Sequence, residues 1–315
     1  MLNRLLFTIL TVILLTGCFS VFVHGEENLK EKAEAVKQDS TETSGKDNHT
    51  DFDWDKFKAK FELFDSQFIH SPSISLTYGF SSMNIHNFSG SFAEPNVPEI
   101  KLGYTSEKPL WINDGILRHK YNYLYLSNIT TDISGTPTAN KIESNLWRFG
   151  FGWARGYGYR LGSSSAIIPY NSYSFAWSRL DVKNFPSNPD DANKLSLFNN
   201  AFRFGTGSEA GLRIKVIPLV NVDVGYERSV IFERHLFWKW AGSALLEGAG
   251  QWALDAFVDK IMDSSPYAAP IVGFVLKGAL SYGIYELRQE KMNWPFESNA
   301  PLAYDQFKFG LTFNF

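Results

Sequence analysis

The sequence predicts an all-β membrane barrel of about eight antiparallel strands, with an amphipathic helix before the barrel and a helical hairpin inserted before the last strand. Three observations predict it. Apolar and polar residues alternate with a period of two in eight separate stretches. Short and long connections between these stretches also alternate. The last stretch places a large apolar side chain at every second position up to Phe315, as suits a strand with lipid on one face and a polar interior on the other.

The first segment, residues 1–25, is predicted to be a secretory signal peptide. Arg4 supplies a basic start, and residues 5–15 form an apolar core. The tripeptide Leu-Thr-Gly before Cys18 matches a lipoprotein box, which would leave Cys18 lipidated. Ordinary cleavage after Gly25 is the alternative, and an uncleaved anchor is a third. The sequence leaves the processing route open.

Two short segments precede the barrel. Residues 26–50 are rich in Glu, Lys, Ser, Thr and Asn, and they contain too few large apolar side chains to fold, so they are predicted to form a disordered tether. Residues 51–66 carry Trp54, Phe57 and Phe61 at spacings of three and four, which predicts an amphipathic helix. This helix is expected either to lie on a membrane surface or to cap one end of the barrel.

Residues 67–315 are predicted to form the barrel, and its fourth strand has the clearest pattern. Trp147, Phe149, Phe151 and Trp153 share one face, while glycines and Ala154 occupy the other. The eight strands are centred on residues 74–80, 100–104, 121–125, 147–159, 172–178, 209–216, 220–227 and 306–315. Shorter connections fall at 107–115, 161–166 and 217–219, and longer ones at 83–97, 128–143, 181–200 and 231–302. Transmembrane barrels alternate short and long connections in this way.

The polar faces of these strands carry charges of both signs, which distinguishes this barrel from a soluble lipocalin-type barrel with an apolar interior. We expect the large rings to face outward and the charges to pair in the lumen, because an unpaired buried charge is costly. Arg213 is expected to pair with Asp223 or Glu227. The predicted lumen network consists of Lys101, Arg148, Arg203, Glu209, Arg213, Lys215, Asp223, Glu227 and Lys308.

The C-terminal octet carries a recognisable motif. It places Lys308, Gly310, Phe313 and Phe315 in the order polar-x-Gly-x-x-apolar-x-aromatic. In these residues the chain resembles bacterial outer-membrane β-barrel proteins of the small eight-stranded type, in which this motif is the assembly signal. The resemblance implies a location in the bacterial outer membrane after secretion to the periplasm. It implies two partners, outer-membrane lipid and the barrel assembly machinery, with short turns in the periplasm and long loops outside.

The long insertion at residues 231–302 interrupts the strand pattern. Residues 233–262 and 268–287 favour helices, separated by a turn at residues 263–266. Small residues along both segments would let the helices pack closely as a hairpin. We expect this hairpin to emerge at the long-loop end, where it would cap the mouth, lean on the outer leaflet or bind a protein partner.

The amino-acid composition reduces the number of function classes to consider. The net charge of −3 gives no basic footprint for nucleic acid, and the scattered histidines and single cysteine suggest no metal site, cofactor or disulfide framework. A structural or surface-interaction role is the first hypothesis. A narrow pore or carrier is the alternative, because inward glycines on the fourth strand would leave unfilled volume. A lipid-modifying enzyme is a third hypothesis; the layout is similar to that of lipid A palmitoyltransferase, but only His235, Glu233 and Ser229 suggest a site, and we expect no catalytic residues.

Overall fold

Eight antiparallel strands close into a ring in the computed structural model, which describes residues 71–110, 113–132, 141–162 and 164–315. Each strand pairs with its neighbours in sequence, and β8 pairs with β1. The strands are β1 Ser71–Ile85, β2 Glu99–Leu110, β3 Asn113–Thr130, β4 Ser144–Arg160, β5 Ala166–Val182, β6 Phe202–Ile217, β7 Val220–Ile231 and β8 Leu302–Asn314. The predicted fold class is confirmed. The predictions for the signal peptide, Cys18, the tether and the amphipathic helix lie outside the described residues.

The connections alternate between short turns and long loops. β2 and β3, β4 and β5, and β6 and β7 are joined at the short-turn end, whereas β1 and β2, β3 and β4, β5 and β6, and β7 and β8 are joined at the long-loop end. The strands are longer than the sequence pattern indicated. The predicted turn at 107–115, for example, lies mostly within β2 and β3.

Apolar residues close the barrel at the long-loop end. Phe92, Leu195 and Phe198 come from the loops and pack over inward side chains such as Leu146 and Leu180. Leu195 belongs to α1, Pro189–Ser196, a helix that the sequence analysis did not predict. The cluster forms because inward residues at the ends of the strands change from polar to apolar, so the loops can bury their own apolar side chains there.

Short polar contacts fix α1 to the first long loop. The Ser89 hydroxyl and backbone N–H both donate to the carboxylate of Asp191, and these hydrogen bonds lower the pKa of that carboxyl below its usual value. Asn188 caps the helix by accepting a hydrogen bond from the Asp190 backbone N–H at 3.0 Å. The cap over the lumen is therefore built from two loops that are far apart in sequence.

The helical hairpin lies against the outside of the barrel wall. It consists of α2, Phe237–Ser264, and α3, Ala269–Glu290. At 1.5 Å per residue these helices are roughly 42 and 33 Å long. Within the described residues, neither helix combines the length and the apolarity needed to cross a membrane.

The turn between the two helices reaches the short-turn end of the barrel. The Tyr159 hydroxyl donates to the Tyr267 backbone carbonyl at 2.6 Å, and the Tyr267 hydroxyl donates to Asn113 Oδ1 at 3.3 Å. At the other end, Tyr285 and Met292 pack beside Val230 and Phe232. The hairpin therefore leaves and rejoins the strands at the long-loop end, but it does not stay there: it runs along the wall over most of the barrel's height.

Candidate functional site

The lumen holds a network of buried ion pairs centred on Lys308. Its ammonium Nζ lies 3.0 Å from Glu99 Oε1, 2.7 Å from Glu209 Oε2 and 2.6 Å from Glu227 Oε2. Lys101 Nζ adds a second cation, 3.1 Å from Glu209 Oε2. These residues come from four strands, so their pairing connects the wall across the lumen.

Two arginines extend the network. Arg148 Nη2 lies 2.9 Å from Glu227 Oε1 and donates to the Tyr125 hydroxyl at 3.0 Å. Arg213 forms two hydrogen bonds to Asp223, at 2.7 and 3.0 Å, which is the bidentate geometry in which Arg–carboxylate pairs are strongest. Of the two carboxylates expected to pair with Arg213, the structure places Asp223 beside it and places Glu227 beside Arg148 and Lys308.

The network balances its own charge. Four cations, Lys101, Arg148, Arg213 and Lys308, face four carboxylates, Glu99, Glu209, Asp223 and Glu227. All eight side chains are buried. Hydroxyls satisfy some of the remaining acceptors, for example Tyr170 donating to Glu209 Oε1 at 2.6 Å. Buried charges are tolerated when they are paired and further hydrogen-bonded. The network meets the first condition, and the second in part, because Glu99 Oε2, Arg148 Nε and Nη1, and Arg213 Nη1 have no hydrogen-bond partner among the described residues.

Two residues of the predicted network lie apart from it. Lys215 is near the short-turn end, where it pairs with Glu107 at 2.7 Å. Arg203 is at the long-loop end and donates to the Leu197 backbone carbonyl. Both follow the inward register of β6, but the lumen charges form a layer, and residues at the ends of a strand fall above or below it. Including Arg203 and Lys215 in one network was therefore wrong.

Glu99, Glu107 and His119 are buried polar side chains that the sequence pattern did not identify. Glu99 is the first residue of β2, one position before the predicted strand begins, and Glu107 lies in the predicted turn. His119 Nδ1 lies 3.5 Å from Glu107 Oε1. Extending the period of two outward from Lys101 along β2 would have found both glutamates. The described residues contain no group of three or more His, Cys, Asp or Glu side chains placed to hold a metal ion.

Tyrosine rings fill the lumen beside the glycines of β4 and β6. Tyr121, Tyr123 and Tyr125 of β3 point inward and are buried, so the expectation that all large rings face outward is wrong for this strand. A Cβ at Gly152 would lie 2.6 Å from the Tyr123 ring, and one at Gly211 would overlap the Tyr170 ring. Because these glycines have no side chain, they leave the volume that the tyrosine rings occupy.

Little open volume remains in the lumen. The cavity there measures about 20 Å³ and is lined by network residues and tyrosines. That is room for about one water molecule. The unfilled volume expected beside the inward glycines of β4 is occupied by tyrosine, so the observation that suggested a pore or carrier is lost.

The outer surface of the barrel is apolar. Leu76 and Leu124 are 50% and 66% exposed, and the C-terminal strand presents Phe307, Phe309 and Leu311 on the same side. In the assembly motif, Lys308 and Gly310 face the lumen, whereas Phe315 lies at the strand end with its backbone N–H 2.9 Å from the Pro72 carbonyl. Charges inside and apolar side chains outside are the arrangement of a transmembrane β-barrel.

The resemblance to small eight-stranded membrane barrels is confirmed in the architecture. No protein-family model matches the chain, and no curated protein matches it in sequence. Among solved structures, Neisserial surface protein A is similar at 11% identity and a TM-score of 0.38, covering 78% of this chain and 97% of that one. Ail, the attachment invasion locus protein of Yersinia pestis, is similar at 9% identity and a TM-score of 0.31, covering 78% and 99%. Similarities this low say nothing about the function of this chain.

A second site lies between the hairpin and the wall, where the outer surface of the barrel is polar. Arg155, Asn171, Tyr173, Ser208 and Arg228 point outward from β4 to β7 and line a cavity of about 290 Å³ under the hairpin. An arginine facing lipid at mid-membrane costs a barrel about 2–4 kcal/mol. The hairpin covers this polar area, which explains why it lies along the wall.

The hairpin turns its own polar residues toward that cavity. Ser243, Glu247, Gln251 and Asp255 recur every four residues along α2, so they share one face of the helix. Arg288 of α3 pairs with Glu247 at 2.9 Å and donates to Ser243 Oγ at 3.0 Å. The opposite face carries exposed apolar side chains, namely Trp238, Leu245, Trp252, Ile271 and Val275. The hairpin is thus polar toward the protein and apolar away from it, which continues the apolar surface of the strands.

The three residues considered for lipid-modifying chemistry are not brought together. Ser229 faces the lumen and donates to Glu227 Oε1 at 2.7 Å. Glu233 is buried beside Asn299, and His235 is exposed with its ring centroid 5.3 Å from that of Phe204. Within the described part of the chain, these three side chains form no hydrogen bond with one another.

Proposed function

We propose that the chain is a bacterial outer-membrane β-barrel with a structural or surface-interaction role, whose long loops lie on the cell surface. The observation that carries this proposal is the combination of a filled, charge-balanced lumen with an apolar outer surface. Lipid would solvate the exposed rings, and the ion pairs would hold the strands together from inside. The assembly machinery would recognise the C-terminal strand.

The structure of the long-loop end supports a surface role. The cap packs the loops at 86–98 and 183–201 over the lumen, and it leaves Phe185 and Leu197 exposed. The loops thus present a closed, packed surface at this end of the barrel. A closed mouth also separates this surface from the lumen, so binding there would not depend on transport.

One preparation of the full-length protein serves two tests, one of the closed barrel and one of solute transport through it. We expect the outer-membrane fraction to show a faster-migrating form that shifts on boiling, because closed barrels resist cold detergent. Vesicles containing the folded form should release a small solute no faster than protein-free vesicles. Rapid release would contradict the structural role and favour the pore.

The orientation is tested by labelling intact cells with a membrane-impermeant maleimide. Ser187→Cys lies in the second capping loop and is exposed, and Gly162→Cys is exposed in the turn between β4 and β5. We expect labelling of Ser187→Cys in intact cells and of Gly162→Cys only after lysis, with the unsubstituted protein as the blank. The reverse pattern would place the long loops in the periplasm.

A further inference from the structure

The cavity between the hairpin and the wall has an excess of positive charge. Four cations line it, Arg155, Arg228, Lys277 and Arg288, and only two carboxylates, Glu247 and Asp255. Arg288 pairs with Glu247, and Lys277 pairs with Asp255. The lining therefore contains two arginines more than its own carboxylates can balance.

Those two arginines have little else to neutralise them. Arg155 Nη1 donates to the Ala154 carbonyl at 2.8 Å, and its cross-strand partner is a further cation, Lys120. Arg228 lies over the rings of Tyr226 and Tyr282, at 4.7 and 4.6 Å from their centroids. Its cross-strand neighbour Asp305 is near enough to interact with its charge, but the two form no ion pair within 4.0 Å. Within the described residues, neither Arg155 nor Arg228 has a carboxylate partner at that distance.

The rest of the lining combines aromatic side chains with small polar and aliphatic ones. Trp153, Phe175 and Trp240 form a cluster of rings, with Phe175 at 5.6 and 6.1 Å from the other two centroids, and the hydroxyls of Tyr173 and Ser281 share a hydrogen bond at 2.7 Å. The volume of about 290 Å³ is close to the lower end of the range for ligand sites. The surfaces outside the cavity, namely the outward face of the hairpin and the neighbouring outer faces of the strands, are apolar. A ligand here needs a group that pairs with arginine and a part that tolerates aromatic and lipid surroundings.

We propose that this cavity binds the phosphate group of a membrane lipid, with Arg155 and Arg228 as its cationic contacts. The guanidinium group matches phosphate geometry and forms short, strong hydrogen bonds to it. The aromatic side accepts the start of the acyl chains, and the chains continue along the apolar surface. This inference rests on the proposed membrane location, because only a barrel in a bilayer presents this cavity to lipid.

The test measures lipid retained by the full-length folded protein in neutral detergent, by native mass spectrometry. Three probes are compared: phosphatidylglycerol, diacylglycerol with the same chains, and inorganic phosphate. The variant is the double substitution Arg155→Gln and Arg228→Gln. The matched control is Arg179→Gln, which removes an exposed arginine from β5 outside the cavity.

We expect the protein to retain phosphatidylglycerol about tenfold better than diacylglycerol, and the double variant to lose about tenfold of that retention, while Arg179→Gln behaves as the unsubstituted protein. Equal retention by the double variant would overturn the site. Displacement of the lipid by inorganic phosphate would refute lipid as the ligand and would indicate a site for a free anion. Every sample is also run on a gel with and without boiling. A protein that shifts on boiling but retains no lipid refutes this inference alone. A protein that does not shift refutes the proposed membrane barrel.

Discussion

Single residues decide whether the lumen of this barrel can close. Lys308 is the clearest case, because one ammonium group contacts three carboxylates from three other strands. Gly152 is the complementary case, because the absence of a side chain there makes room for Tyr123. The packing of the lumen therefore depends on two things at these positions: each buried charge has an opposite charge beside it, and each large side chain has a small residue opposite it.

Replacing Lys308 with Met should destabilise the barrel strongly. The substitution keeps most of the side-chain volume but leaves Glu99, Glu209 and Glu227 with one cation fewer, and breaking a buried pair in this way costs about 3–5 kcal/mol. The measurement is the urea concentration at which the heat-modifiable form is lost.

Lys183→Met is the matched control for this change. Lys183 pairs with Asp132, and both side chains are substantially exposed to solvent. An exposed pair contributes about 0–1 kcal/mol, so this variant should unfold near the midpoint of the unsubstituted protein. Similar midpoints for the two lysine variants would mean that the buried network does not stabilise the barrel.

Replacing Gly152 with Ala should also destabilise the barrel, by about 1–3 kcal/mol, because the added methyl group overpacks the lumen against Tyr123. Gly162→Ala is its control, since nothing lies within 4 Å of a Cβ at that position. The same unfolding measurement checks both. If Gly152→Ala unfolds at the same midpoint as the unsubstituted protein, the lumen has open volume at this position, which would favour the pore hypothesis.

At the scale of secondary-structure elements, the hairpin and the wall are polar where they meet. Arg155 and Arg228 of the wall and Glu247 and Asp255 of α2 line the same cavity. Neither element is suited to lipid on that face. The hairpin is therefore expected to be part of the barrel's stability rather than an appended domain.

Deleting residues 237–290 and joining the ends with a short flexible linker should reduce the amount of folded barrel, because Arg155 and Arg228 would then face lipid. The cost per arginine rises with depth to about 2–4 kcal/mol at mid-membrane. The amount of heat-modifiable protein in the membrane fraction is the measurement. Adding Arg155→Leu and Arg228→Leu to the same deletion should restore much of it. If the deletion alone assembles normally, covering the arginines is not what the hairpin contributes.

At the scale of the whole molecule, closure of the barrel depends on the last strand. The final strand pairs with both β1 and β7, so it closes the ring. Deleting Phe315 should lower the amount of assembled barrel without changing the transcript, because the aromatic end of the motif is lost. Phe315→Tyr, which keeps an aromatic ring, is the control and should assemble normally. Normal assembly of the truncated chain would show that the motif is not the signal.

Much of this architecture could be predicted from the sequence because a period of two fixes which face each residue takes. It placed Arg148, Glu209 and Asp223 inside and Phe149 and Leu212 outside. The inward tyrosines of β3 could not be recognised, because Tyr121, Tyr123 and Tyr125 are amphipathic and the residues opposite them in that strand, Asn122 and Leu124, do not resolve the ambiguity. Height along the barrel was also hidden, which is why Arg203 and Lys215 were assigned to the wrong layer.

The position of the hairpin could not be predicted for a different reason. Its polar face fits a polar area assembled from four strands, and no single segment of the sequence reveals that area. Arg155, Asn171 and Arg228 are isolated exceptions within otherwise apolar faces when each strand is considered alone. Only the closed sheet brings them together.

The hairpin also bears on the order in which the chain folds. Ile231 and Leu302 are paired across β7 and β8, yet the whole insertion separates them in sequence. Bringing such distant residues together from a flexible chain carries a loop-closure entropy and slows folding. Helices form in microseconds or less, and docking α2 against α3 returns the chain to the long-loop end where it started. A hairpin that forms early therefore turns a long-range strand pairing into an effectively local one, and the last strand reaches its place beside β7 already aligned.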